Sequence, residues 1–139
     1  MKLTFDQSQC FAVPEKLFSV LNIELAKWPD VNHSATSIIF NFRDVNYSPE
    51  NGGFHPVEIR LIKQKALWHF DYITDFSYQG TGYPELVKEI DVCFQSAEVI
   101  HLHLGLLTKA NADELVELFL TNFIDYVEMD VFTVEIAFS

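Results

Sequence analysis

Apolar residues recur along this chain with two different periods, and the switches between them mark out its elements. Phe18, Leu21 and Leu25 stand at helical spacing, with Leu17 and Val20 widening the stripe. That is one face of an α-helix. Pro14 suits the start of such a helix, ahead of Glu15 and Lys16, and Pro29 ends it at or before Trp28. The residue before a proline avoids helical backbone angles. From Thr36 onward the period falls to two. Ile38, Phe40 and Phe42 alternate with Asn41 and Arg43 over 36–44; Val57, Ile59 and Leu61 alternate with Glu58 and Arg60 over 57–63. Over 67–76, Trp68, Phe70, Tyr72 and Phe76 oppose His69, Asp71 and Asp75. Ile90, Val92 and Phe94 oppose Glu89 and Asp91 over 86–94; Ile100, Leu102 and Leu104 oppose His101 and His103 over 99–106. Strict alternation is the signature of a half-buried antiparallel sheet.

A second helix follows. Asn111 as N-cap with Glu114 three residues on has the form of a capping box. Leu115, Phe119, Asn122 and Tyr126 form one row along it; Val116, Leu120, Phe123 and Val127 form the next. So wide a stripe needs a sheet to lie on. Phe132, Val134, Ile136 and Phe138 then alternate as a last strand. The expected architecture is α+β: an antiparallel meander of about six strands, with one helix at the N-terminus and another before the final strand. No repeat, linker or low-complexity tract divides residues 1–139, so a single domain is expected.

The pattern also predicts strand pairings. A two-residue turn at Gln64-Lys65 pairs Leu61 with Trp68, Ile59 with Phe70 and Val57 with Tyr72, which makes Trp68, Phe70 and Tyr72 one core stripe. It also sets Arg60 diagonally across from Asp71. A three-residue loop at Gln95-Ser96-Ala97 pairs Val92 with Ile100 and Ile90 with Leu102. His101 then faces Asp91 and His103 faces Glu89, as surface ion pairs. Two histidines on one strand face, about 7 Å apart, are also a second-rank metal-ligand candidate.

Composition narrows the function classes. Apolar residues make up 49% and charged residues 21%, which excludes wholesale disorder. Nine Lys and Arg against 20 Asp and Glu give a formal charge of −11. Phosphate binding runs on Lys and Arg, so nucleic acid is not an expected partner. Cys10 and Cys93 form neither a disulfide framework nor a metal motif. The first seven residues lack the apolar stretch of a secretion signal, and no segment has the length of a membrane span. The expectation is a cytoplasmic protein without membrane contact.

No nucleophile elbow or phosphate-binding loop occurs, and Gly80-Thr81-Gly82 reads as a turn. The most distinctive text is the turn-rich segment from Asn46 to Pro56, with Gly52-Gly53 and then Phe54-His55-Pro56. Paired glycines permit backbone angles closed to other residues, so an ordered loop with at least one positive φ is expected. His55 and Glu58 are close enough in sequence to form an acid–base or binding pair. The candidate binding residues are Tyr47, Phe54, His55, Glu58, Asp75 and Tyr78; no catalytic residue, cofactor or metal is assigned.

Asn41-Phe42-Arg43-Asp44, Gly52-Gly53-Phe54-His55-Pro56-Val57-Glu58-Ile59 and Tyr72-Ile73-Thr74-Asp75-Phe76-Ser77-Tyr78 resemble a family of small gamma-proteobacterial proteins known only as a domain of unknown function. Its members are often found on mobile or pathogenicity islands. The resemblance implies a fold similar to that of the acidic mitochondrial matrix glycoproteins, one of which binds the globular head of a complement component. This chain is shorter and is expected to end in a strand, so the resemblance alone does not decide ring-shaped trimerisation or complement binding, and a homo-oligomer stays open. Three function classes remain. The first is a non-enzymatic acidic protein that captures a basic protein surface. The second is a nucleic-acid mimic that blocks a DNA-binding enzyme. The third is a small-molecule enzyme with a pocket near His55, Glu58 and Asp75.

Overall fold

A computed structural model of the chain describes residues 1–139. Helix α1 spans Glu15–Lys27. The strands β1 (Ser37–Arg43), β2 (Val57–Gln64), β3 (Leu67–Gln79), β4 (Glu85–Cys93), β5 (Glu98–His101) and β6 (Gly105–Leu106) follow, then α2 (Lys109–Glu128) and β7 (Thr133–Phe138). The strands form one sheet in the order β6-β5-β4-β3-β2-β1-β7, and every neighbouring pair is antiparallel. The fold is therefore the expected α+β meander, closed on the β1 side by β7. It has one strand more than the pattern suggested, because 99–106 is not continuous. The chain turns at Leu102–Leu104, and Gly105, at φ 72°, starts β6.

Both helices contribute to one apolar core. Leu17, Phe18, Leu21 and Leu25 of α1, and Val116, Leu120 and Phe123 of α2, pack with Ile38, Phe40, Phe42, Ile59 and Leu61 of the sheet. Lys16 of α1 meets Glu128 of α2 at 3.0 Å. The opposite sheet face is polar: Arg60 pairs with Asp71 at 2.6 Å, and the Thr74 hydroxyl donates to Asp91. The segment ahead of α1 belongs to the core too. Leu3, Phe5 and Phe11 are buried, and Phe5 bridges Trp68 in parallel. It takes up the edge of β3 beyond the point where β4 stops, at Tyr72 opposite Cys93.

Three local expectations need correction. The N-cap of α2 is Thr108, whose side chain accepts from the Asn111 amide; Asn111 lies inside the helix. The turn between β2 and β3 is Lys65-Ala66, since Gln64 pairs with Leu67, Lys63 with Trp68 and Leu61 with Phe70. Lys65, at φ 60°, takes the left-handed turn. Asp71 is then an extra residue: Leu61 faces Phe70 while Arg60 faces Tyr72. This β-bulge turns Tyr72 out of the predicted stripe onto the polar face, where its hydroxyl donates to Glu58. Burial and this carboxylate together push the Tyr72 phenol well above its ordinary pKa.

The β4–β5 register is also one residue away from the predicted one. Cys93 faces Glu98, Val92 faces Val99, Asp91 faces Ile100 and Ile90 faces His101. Phe94 falls into the loop because its ring has a better place, edge-on to Phe11 and stacked on Phe70 in the core. A one-residue slip exchanges the two faces of a strand. Val99 is buried while Ile100, Leu102 and Leu104 are exposed.

Candidate functional site

The site begins with the loop between β1 and β2. Asp44 clips it at both ends: one carboxylate oxygen accepts from the Asn46 amide at 2.9 Å, the other from the Phe54 amide at 3.0 Å. Ser48 and Gly52 exchange two backbone hydrogen bonds. Gly52 and Gly53 have φ of 68° and 133°. A Cβ on Gly53 would come within 2.8 Å of the Asp44 carboxylate and 3.1 Å of the Tyr47 backbone. The loop is thus shaped as its glycines predicted. Its exit sends consecutive side chains in different directions. Phe54 packs on Tyr126 of α2 with ring centroids 4.7 Å apart, and His55 turns to the sheet.

There His55 meets two carboxylates. Its Nδ1 lies 2.9 Å from Asp75 Oδ2 and 3.5 Å from Glu89 Oε2. Asp75 is only 6% exposed, and its other oxygen accepts the Ile90 amide at 2.9 Å. The Ser77 hydroxyl donates to the other oxygen of Glu89 at 3.1 Å. The hydrogen bond to Asp75 holds the His55 pKa above its ordinary value; the two carboxylate charges reinforce it and partial burial opposes it. Two irregularities in the sheet create this meeting. The Asp71 bulge resets the parity of β3, so Ile73, Asp75 and Ser77 all face inward. A second shift, between Asp75 opposite Ile90 and Phe76 opposite Lys88, leaves Glu89 as an extra residue on β4. Bulges of this kind re-aim side chains.

His55 and Asp75 of this cluster line a cavity of about 360 Å³ between the sheet and α2, with Glu89 next to them. Leu115, Phe119, Asn122 and Tyr126 of α2, one of the two rows read from the sequence, line its helix side. Phe54, Val57, Ile90 and Phe132 complete the apolar walls, and no Lys or Arg lines it. The adjoining row, Val116, Leu120 and Phe123, is the one buried in the core. His55 also borders a second cavity of about 300 Å³, shared with Tyr47 and Tyr78. There the Tyr78 amide donates to the Tyr47 hydroxyl at 3.0 Å, and the two rings lie 5.2 Å apart.

Of the six candidate residues, five therefore gather around one site: Phe54, His55 and Asp75 on the first cavity, Tyr47 and Tyr78 on the far side of His55. Glu58 does not. It follows Val57 in β2, points to the opposite sheet face and is engaged with Tyr72, so the His55–Glu58 pair does not form. His101 and His103 have no carboxylate within 4 Å; instead the His103 amide donates to His101 Nδ1 at 3.1 Å. Their predicted partners Asp91 and Glu89 are engaged with Thr74, and with Ser77 and His55. Glu89 is the residue that sequence reasoning missed, since simple alternation puts it on the polar face.

The family model of DUF2787, a protein of unknown function, matches residues 15–137. The chain belongs to this family. Two solved structures resemble it over nearly their whole length. A hypothetical protein of the Vibrio cholerae VSP-II pathogenicity island is 34% identical, with a TM-score of 0.90, over 99% of this chain and 100% of that one. A conserved hypothetical protein from the V. cholerae pathogenicity island VPI-2 is 32% identical, with a TM-score of 0.79, over 93% and 97%. The latter is described as sharing structural homology with the human P32 protein. No curated protein matches the DUF2787 chain significantly. No helix is long and apolar enough to cross a membrane.

Proposed function

We propose that this protein is a non-enzymatic binding protein that captures a basic protein partner, with the cavity under α2 taking one of the partner's Lys or Arg side chains as an anchor. The observation that carries this reading is the charge of the cavity end. Asp75 lines it together with the His55 imidazole, Glu89 stands 3.5 Å from that imidazole, and no Lys or Arg lines the walls. Even with His55 protonated, one negative charge is left over. The apolar walls suit the methylene stem of a basic side chain, whose head group would reach the carboxylates. The overall charge of −11 supports the same class of partner through long-range attraction.

The experiment is a fluorescence-anisotropy titration with labelled peptides that carry arginine or, in matched versions, uncharged citrulline. Arginine peptides should bind more tightly, lose affinity as salt rises, and weaken at least tenfold against Phe119→Ala and Glu89→Gln. Equal affinity for both peptide sets, or binding indifferent to both substitutions, overturns the anchor. Tight binding to duplex DNA overturns the partner class.

A second reading, a small-molecule enzyme, is favoured by one observation only: the hydrogen-bonded His55–Asp75 pair borders the cavity. That arrangement can serve as a general base with its orienting carboxylate. Turnover would have to fall with both His55→Gln and Asp75→Asn.

A further inference from the structure

We infer that His55, Asp75 and Glu89 form a binding site for one divalent first-row transition-metal ion, coordinated by His55 Nδ1 and one oxygen of each carboxylate. The donor atoms of the three residues lie within 4.8 Å of one another. Two ligands bound to one such ion at about 2.1 Å stand about 3.0 Å apart at a right angle and about 3.4 Å apart at the tetrahedral angle. Nδ1 lies 2.9 Å from Asp75 Oδ2 and 3.5 Å from Glu89 Oε2, so both edges already have coordination length.

A hydrogen bond explains the first of these contacts and leaves the second unexplained. The imidazole has a single proton on Nδ1 to give. Two carboxylates converging on it repel one another, in a place where Asp75 is almost wholly buried. A divalent ion resolves this. It displaces the Nδ1 proton to solvent, and neutral imidazole, two carboxylates and the ion sum to zero charge. The outer oxygens are held ready, Asp75 Oδ1 by the Ile90 amide and Glu89 Oε1 by the Ser77 hydroxyl. Such supporting contacts orient ligands in metal sites. The three residues come from rigid elements, the clipped loop exit, β3 and β4. The neighbouring cavity leaves room for water or another molecule to complete the coordination. One nitrogen with two oxygens favours Zn²⁺ over Mn²⁺ and disfavours Mg²⁺.

The ion would take the place of the cationic anchor proposed above, so the two would compete. The inference does not rest on that reading, and its test reads the metal directly. Calorimetric titration of metal-stripped protein should show one equivalent of Zn²⁺, weaker Mn²⁺ and no saturable Mg²⁺. Glu89→Gln, at a partly exposed position that should tolerate the change, should lower Zn²⁺ affinity at least tenfold, and so should Asp75→Asn. A His101→Ala/His103→Ala double variant should bind Zn²⁺ as the wild type does. Absence of saturable Zn²⁺ binding below 1 mM (an affinity of about −4 kcal/mol) overturns the site. Full binding by Glu89→Gln does so too, as does loss of binding in the His101/His103 double variant. Failure of the metal titration with arginine-peptide binding intact removes the ion and leaves the capture reading standing.

Discussion

The two halves of the sheet are written in the same alternating text and fold by different rules. On one side, β1 pairs with β2 and β7 in unbroken register, from Ser37 opposite Ile62 to Phe42 opposite Val57 and from Ile38 opposite Phe138 to Arg43 opposite Thr133. Every second residue of β1 is fully buried. On the other side, β3 and β4 each carry an extra residue, and there the apolar face of the sheet receives two carboxylates. Regular alternation builds a core; interrupted alternation delivers polar groups to it. An inward carboxylate is costly unless it is hydrogen-bonded, and each one here has partners. The irregular half is where binding chemistry can be placed without breaking the regular half.

Removing a ring from the regular half should have the largest effect of any single change. Phe42 packs on Phe40, Phe123 and Phe132, with the Phe123 centroid 4.9 Å away. Phe42→Ala should destabilise the fold by about 3–5 kcal/mol, read by chemical denaturation. A loss near that of a surface substitution would mean that the core does not centre on β1.

The loop that joins the halves comes next. Gly53→Val should cost about 1–3 kcal/mol, because its Cβ meets the Asp44 carboxylate and the Tyr47 backbone at a positive φ. Gly52→Ala meets nothing, so it should cost only the left-handed conformation, about 1 kcal/mol. Gly53→Val should also displace Phe54 and His55 and weaken ligand binding, whereas Gly52→Ala should leave binding intact. Thermal melts with peptide titrations separate the two. Equal effects would mean that the loop is not anchored through Asp44.

Smaller again is the cap of α2, which roofs the cavity. Thr108→Ala should cost about 1 kcal/mol, while Asn111→Ala should stay within about 0.5 kcal/mol, since only its backbone takes part. The reverse order would restore the capping box read from the sequence.

What could be read from the sequence follows the same division. The limits of α1, the buried faces of β1 and β2, and the presence of a last strand after α2 depend on period and on proline, both visible in one dimension. The clipped glycine loop and the nearness of His55 to Asp75 were legible as candidates. The Asp71 bulge and the extra Glu89 were not, because a bulge is a property of two strands and the sequence shows one at a time. The β4–β5 register failed for a related reason. Apolar-to-apolar matching favoured Ile100 and Leu102 as core residues, but Phe94 leaves the strand to pack on Phe11 and Phe70, and the count shifts by one.

The finest test asks whether the irregular half is electrostatically tuned or merely hydrogen-bonded. In metal-free protein, His55 should titrate above the ordinary histidine range, and Asp75→Asn should bring its pKa down, since the Asp75 hydrogen bond is the first cause of the elevation. NMR titration of the ring resonances reads this directly. A histidine with a raised folded pKa stabilises the fold fully below the unfolded value, about 6.5. That contribution fades as pH rises through the folded value. The melting-temperature gap between wild type and Asp75→Asn should therefore be widest near pH 6 and narrow above the folded pKa. Because His55 is half-exposed and screened by solvent, the change should be smaller than the loss of the α2 cap. The regular half has no such pair, so Phe42→Ala should shift stability equally at every pH in that window. A gap for Asp75→Asn just as flat would mean that the imidazole stays neutral against Asp75. The interrupted strands would then differ from the regular ones in geometry alone.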